Sequence, residues 1–195
     1  MKTEDLPFPL GQTYSQGVGT PAATDGADLE GKEYWVESIA PANAGETVKQ
    51  YLTGRPKKVR IVRNESGGTL AGKLLAKMKT DGSAKEFMSQ VMGLAGTVGE
   101  HCYPIDEFLV STVPNHDLFY IVIEGPAKVT TAGAGDTNIA VGNYVIPSTS
   151  GTVIDQDTTV AAGSATFNQI QGAVGRCVTA VNGTATDFYI EVTKK

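Results

Sequence analysis

A mostly β domain, closed as a compact barrel or sandwich, is what this sequence predicts, and three observations carry the prediction. The first is the stretch from Val113 to Val129, VPNHDLFYIVIEGPAKV. Its run Phe119-Tyr120-Ile121-Val122-Ile123 is aromatic and β-branched without a polar break, as a strand buried on both faces requires. Pro114-Asn115 before it and Gly125-Pro126 after it bound the run to strand length. The second is composition: 23 glycines in 195 residues, against a typical glycine share of roughly 7%, with only 19% charged residues. Many tight turns between short strands suit those numbers better than long solvated helices. The third is spacing, because strand signals recur at short intervals with Gly or Asn between most of them.

Taken in order, residues 1–31 read as an extended arm and residues 32–195 as the β-rich domain. The arm is rich in Gly, Pro, Thr, Asp and Ala, with apolar side chains only at scattered positions such as Leu6, Phe8, Leu10, Tyr14 and Val18. It cannot build a core alone. Four buried anchors contribute roughly 1.5–3 kcal/mol each, whereas ordering about twenty backbone residues costs about 1–2 kcal/mol apiece. The arm is therefore expected to be mobile when free and to order only within a larger assembly.

Glu33 to Ile39 alternates like a strand and contains the sole tryptophan, Trp35, expected as a core anchor. Lys58 to Arg63 predicts a second strand, with Val59, Ile61 and Arg63 on one face and Arg60 and Val62 on the other. Asn64 to Gly68 is its turn. Ala71-Gly72 favours a turn leading into a strand at Lys73–Lys79 over a helix. Phe87, Val91 and Leu94 recur at helical spacing, which makes Ser83–Ala95 the best helix candidate, with a strand at Gln90–Ala95 competing. Further strands are predicted around His101–Tyr103 and at Ala127–Thr131, Asn138–Ile146, Thr152–Asp155, Ala173–Ala180 and Asp187–Thr193.

The chemistry that composition permits is narrow. A net charge of −5 offers no field for a phosphate backbone, so nucleic acid is not expected as a partner. No apolar window approaches the length that crosses a bilayer, and MKTEDLPFPLG lacks the continuous apolar core of a secretion signal, so no membrane partner is expected either. Cys102 and Cys177 read as small buried hydrophobes with no disulfide, and they would need His101 and His116 to converge on them before a zinc site could form. No cofactor or metal is expected.

Two nucleophile sets can be sketched, Cys102 with His116 and Asp117, or Ser111 with His116. In Asn115-His116-Asp117, however, the polar groups sit at a turn where they commonly satisfy backbone. Asp106-Glu107 as an acid and base pair would point to opposite faces of a strand. Thr131-Ala-Gly133-Ala-Gly135-Asp136 resembles a phosphate loop only in its glycines, since no Lys-Ser/Thr pair or helix follows, and it reads as a hairpin turn. An enzyme is not expected. The concentrated positive feature is Arg55, Lys57, Lys58, Arg60 and Arg63, which reads as an edge strand guarded by cations or as the face for an acidic protein surface.

Three segments then carry a family likeness: Gly31-Lys-Glu-Tyr-Trp-Val36; Val59-Arg-Ile-Val-Arg-Asn64 with Gly68-Thr-Leu-Ala-Gly72; and Tyr103-Pro-Ile-Asp-Glu-Phe108 continuing through Val113–Phe119 to Glu124-Gly-Pro126. In their order and spacing the chain resembles the decoration, or cement, proteins of tailed bacteriophage heads and related phage structural proteins. The resemblance implies a virion protein on the outer capsid surface, made in the bacterial host cytoplasm. It implies trimers at or near three-fold positions that reinforce joints between major capsid protein subunits, without chemistry. On that reading Leu6, Phe8, Leu10 and Tyr14 are arm anchors on the capsid, and Arg55, Lys57, Lys58 and Arg60 are interface charges. The alternatives are a receptor- or glycan-binding module of a spike or fibre, with Tyr34, Trp35 and Tyr51 as stacking platforms, and a small hydrolase using Cys102 and His116.

Overall fold

The structure is a computed structural model that describes residues 5–15, 26, 28–38, 40, 45–80, 89–132, 139–155, 172–181 and 187–193. Its elements are β1 (Glu33–Glu37), α1 (Glu46–Leu52), β2 (Pro56–Asn64), β3 (Leu75–Met78), β4 (Gln90–Leu94), β5 (Cys102–Pro104), β6 (Leu118–Thr130), β7 (Tyr144–Pro147), β8 (Val153–Asp155), β9 (Gly175–Cys177) and β10 (Asp187–Val192), with a 3-10 turn at Thr149–Gly151. All ten strands join one strongly curled sheet in the order β5-β3-β4-β2-β6-β10-β9-β7-β8, with β1 on β2. The chain is mostly β, as the glycine content and strand spacing predict.

The 13-residue β6 organises everything else. Its first half pairs antiparallel with β2, from Arg63↔Leu118 to Lys58↔Glu124, and its second half pairs with β10, from Val192↔Gly125 to Asp187↔Thr130. Each wing of the sheet then bends back to β6 through an isolated bridge, Ile105↔Ile121 on one side and Thr131↔Val153 on the other. Closure of this kind hides strand edges that would otherwise offer unpaired backbone groups.

The apolar run is buried on both faces, as its composition predicts. Leu118, Tyr120 and Val122 enter a large core shared with Val59, Ile61, Val129, Val145 and Ile190. Phe119, Ile121 and Ile123 enter a second core with Val62, Met78, Val91 and Ile105. One expectation needs correction: Gly125-Pro126 does not end the strand. Gly125 has φ +91°, and a Cβ there would lie 2.8 Å from the Pro56 carbonyl oxygen. Glycine thus lets β6 continue past a register shift opposite Lys58 and Val59 and change partners.

The arm is a second correction. Residues 5–15 lie on the domain's own core: Phe8 is buried there, with Leu6, Leu10 and Tyr14 packed beside it. Tyr14 forms an antiparallel bridge with Leu118, and Tyr120 Oη donates to the Phe8 carbonyl at 2.9 Å. The start of β6 supplies both apolar surface, at Leu118 and Tyr120, and backbone partners within the same chain, so the arm needs no outside partner to order residues 5–15. Val18 lies outside the described residues.

Smaller differences have local causes. The strand alternative wins at Gln90–Leu94, and residues 83–88 of the helix candidate fall outside the described residues. Ile139 makes only an isolated bridge to Val181, a turn intervenes, and β7 starts at Tyr144. Trp35 is half-buried instead of a core anchor, with the Lys58 ammonium 5.8 Å from its ring centre. Helix α1 went unread in the sequence; it buries Leu52.

Candidate functional site

Strand β2 is an interior strand, held by β1, β4 and β6, so the reading of a cation-guarded edge is corrected. Each of its cations meets a carboxylate of the same chain. Lys57 Nζ lies 3.3 Å from Glu107, with both side chains almost fully buried, and stands 4.7 Å from the Phe108 ring centre. Arg63, fully buried, pairs with Glu30 and donates from Nη1 to the His116 carbonyl at 2.7 Å. Lys58 and Arg60 share Glu33. Burial alone would raise the Glu33 pKa, but hydrogen bonds from Lys58 and Arg60 outweigh it and hold the carboxyl below its ordinary value. Arg55, the outermost, donates to Glu191 at 2.7 Å. Four of these five cations thus lie buried or half-buried in internal pairs, and only Arg55 is exposed. The buried ones need these carboxylates, because a buried charge stripped of its partner is strongly destabilising.

The catalytic candidates are likewise occupied by structural contacts. Cys102 is wholly buried on β5, and Cys177 is buried on β9 with its thiol pushed up to about 11, mainly by burial; neither forms a disulfide. His116 sits in a left-handed turn at φ 70°, its Nδ1 3.1 Å from Glu65 and its Nε2 2.9 Å from Asn115. Asp117 accepts from Thr13 Oγ1 at 2.8 Å. Asp106 is buried and accepts from the backbone N–H of Gly11 at 2.6 Å and of Phe108 at 3.1 Å. Burial raises its pKa in spite of those bonds. Glu107, its neighbour, accepts instead from the backbone N–H of Lys128 at 2.8 Å. The two carboxylates therefore serve different elements.

Ser111 lines an open groove of about 400 Å³ between the wings, with Gly72, Lys73, Val110, Thr130 and Asp187; His116 is not part of its lining. The groove's charges already bind each other: Lys73 Nζ is 2.7 Å from Asp187, which also accepts from Thr130 Oγ1 at 2.9 Å. Residues 133–136 of the glycine-rich turn lie outside the described residues.

The aromatic platforms form no exposed row, since Tyr34, Trp35 and Tyr51 are each half-buried. Tyr51 Oη donates to Glu191, and the Arg55 guanidinium lies 4.6 Å from its ring centre. Farther along the same outer face, Arg176 lies over Tyr144, 4.5 Å from the ring centre, and bonds its hydroxyl. Sequence reading singled out neither residue. Only the strand register brings positions 32 apart together, and no spacing rule signals that.

No protein-family model matches the chain, and no curated protein matches it. Among solved structures it is similar to the head fiber gp8.5 N base of bacteriophage phi29, with 16% sequence identity and a TM-score of 0.38 over 70% of this chain and 98% of that one. A likeness of that size carries no argument about fold or function.

Proposed function

We propose that this chain is a structural virion protein of a tailed bacteriophage that binds the outer surface of the capsid and stabilises contacts between major capsid protein subunits, acting as a trimer and catalysing no reaction. The observation that carries the reading is where the resembling segments lie. Scattered from residue 31 to residue 126, they become β1, β2, the Leu70↔Val113 bridge, β5 with the Ile105↔Ile121 bridge, and the first half of β6. These pieces pair with one another in one block. The segments that carry the resemblance thus lie in one packed unit of this chain, which supports reading them together.

Two further features support the reading over its rivals. Cys102 is buried and His116 and Asp117 are engaged in a turn and in hydrogen bonds, Ser111 lies apart from His116, and the glycan reading needs an exposed aromatic row where the three side chains are half-buried. Mechanically, a stiff curled sheet suits a clasp, which acts by covering area on neighbouring subunits and by repeated weak contacts. The arm anchors act mainly within the domain. Only the outward parts of Leu6, Leu10 and Tyr14 remain for a capsid contact.

The test is co-sedimentation of the intact protein with undecorated heads, together with the temperature at which decorated and undecorated heads release their contents. Saturable binding and a raised release temperature are expected. Absence of binding sinks the proposal, and binding without any rise removes the stabilising role. A chain lacking residues 1–31 is unsuitable for this purpose, because it also loses Phe8 and Glu30 from the interior.

A further inference from the structure

We infer that the Arg176–Tyr144 pair on the outer face of β9 and β7 is a docking point for a carboxylate on an acidic segment of a partner protein; the partner's identity as a capsid subunit rests on the proposed function, but the chemistry of the site does not. Register places Tyr144, Arg176 and Glu191 side by side across β7, β9 and β10. Directly paired residues share a face of the sheet. Phe188, Ile190 and Val192 enter the core from β10, so Glu191 and its row face outward.

The chain has four arginines, and three of them hold a carboxylate: Arg55 with Glu191, Arg60 with Glu33, and Arg63 with Glu30. Arg176 is exposed and, among the described residues, contacts only the ring and hydroxyl of Tyr144. The ring contact and the Nη2 bond to the hydroxyl hold the guanidinium beside Tyr144 while leaving its other hydrogen-bond donors for an incoming group. A prearranged fork loses less side-chain freedom on binding than a lysine would. Tyr and Arg are also the residues in which interface binding energy concentrates.

The occupant follows from charge. An apolar partner would bury the guanidinium without compensation, which is costly. A nucleic acid would meet a single arginine without a carboxylate partner on this face, where phosphate backbones require several cations. A carboxylate gains a charge-assisted bidentate pair with this geometry.

The full chain, with arginine side-chain Nε–H signals observed by NMR, is titrated with a capped peptide of six glutamates and with its all-glutamine counterpart. The glutamate peptide should shift the Arg176 Nε–H and Tyr144 ring signals saturably, and the glutamine peptide should not. Arg176→Gln should weaken binding at least about tenfold, the order of one lost charge-assisted pair. Lys32→Gln, another exposed cation, should leave it unchanged, with thermal melts confirming that both variants fold. No saturable binding, equal binding of the two peptides, or equal affinity of Arg176→Gln and the parent overturns the inference. Undecorated heads separate the two readings. Heads that bind the parent and Arg176→Gln equally well overturn this site and leave the capsid role standing, whereas heads that bind neither refute the capsid role and leave the peptide result to decide the site.

Discussion

The two halves of β6 run in one strand but face different surroundings. From Leu118 to Ile123 every residue is buried, with alternate side chains in two separate cores. From Gly125 to Thr130 one face is buried while Lys128 and Thr130 reach partly into water. The neighbours differ in the same way. Around the first half, Arg63 is sealed in with Glu30, and the buried Lys57–Glu107 pair closes the junction between the halves; beside the second half, Arg55 and Glu191 pair at the surface. Charge is thus matched inside the first wing, whereas the second carries its pairs nearer the surface and has Arg176 exposed, where the docking point is proposed.

The largest effect should come from unmatching a sealed charge. Glu30→Ala removes the carboxylate from the buried Arg63 guanidinium and should cost about 3–5 kcal/mol in urea unfolding. Glu191→Ala, which releases a partly exposed pair, should cost no more than about 1 kcal/mol. Replacing both Glu30 and Arg63 with apolar residues of similar volume should recover most of the first loss. Equal costs for the two single variants would erase the contrast between the wings.

That contrast explains what was legible in the sequence. Double-sided burial leaves an unbroken apolar run, so Phe119 to Ile123 was readable directly. Short apolar segments set off by turn residues were also readable, and Asp187–Thr193 came within a residue of β10 at Asp187–Val192. What failed depended on partners distant in the chain. The Gly125-Pro126 pair looked like a terminus because a turn and a bulge use the same residues, and only the close approach of Pro56 distinguishes them. Arg55 to Arg63 looked like an outer cationic face because its carboxylates come from three distant parts of the sequence, Glu30 with Glu33, Glu107 and Glu191. Phe8 looked like a free anchor because Tyr120, its ring partner 4.4 Å away, is 112 residues on. Arg176 and Tyr144 gave no signal for the same reason.

An intermediate effect tests the junction between the halves. Gly125→Ala combines a left-handed backbone with contact to the Pro56 carbonyl and Lys57 Cα, and should cost about 2 kcal/mol or more. Gly142→Ala has nearly the same φ, +92°, but open space around the added methyl, and should cost only about 1 kcal/mol. The difference between the two in thermal unfolding isolates the steric part. If it vanishes, the junction is looser than the bulge implies, and the halves of β6 are not held at a fixed angle.

The smallest effect is electrostatic and depends on pH. Glu100, in the loop between β4 and β5, is bound by Lys77 Nζ at 2.6 Å and by the backbone N–H of Gly96 at 2.6 Å and of Thr97 at 3.1 Å. Burial pulls its pKa upward, but these bonds outweigh it and bring the carboxyl from the ordinary 4.5 down to about 2. A carboxyl depressed by folding contributes stability that is fully present above its unfolded value and disappears as pH falls through its folded value. Screening by solvent limits the contribution to about 1 kcal/mol. Glu100→Gln should therefore be less stable than the parent by that amount at neutral pH, and the two unfolding curves should converge as pH drops from 4.5 toward 2. Asp187 in the other wing is held below its ordinary value against the pull of burial, chiefly by hydrogen bonds from Lys73 and Thr130, so Asp187→Asn should show the same sign. A gap for Glu100→Gln that stays constant across this range would mean that its bonds act through geometry alone, and the carboxylate charge would drop out of the account of the first wing.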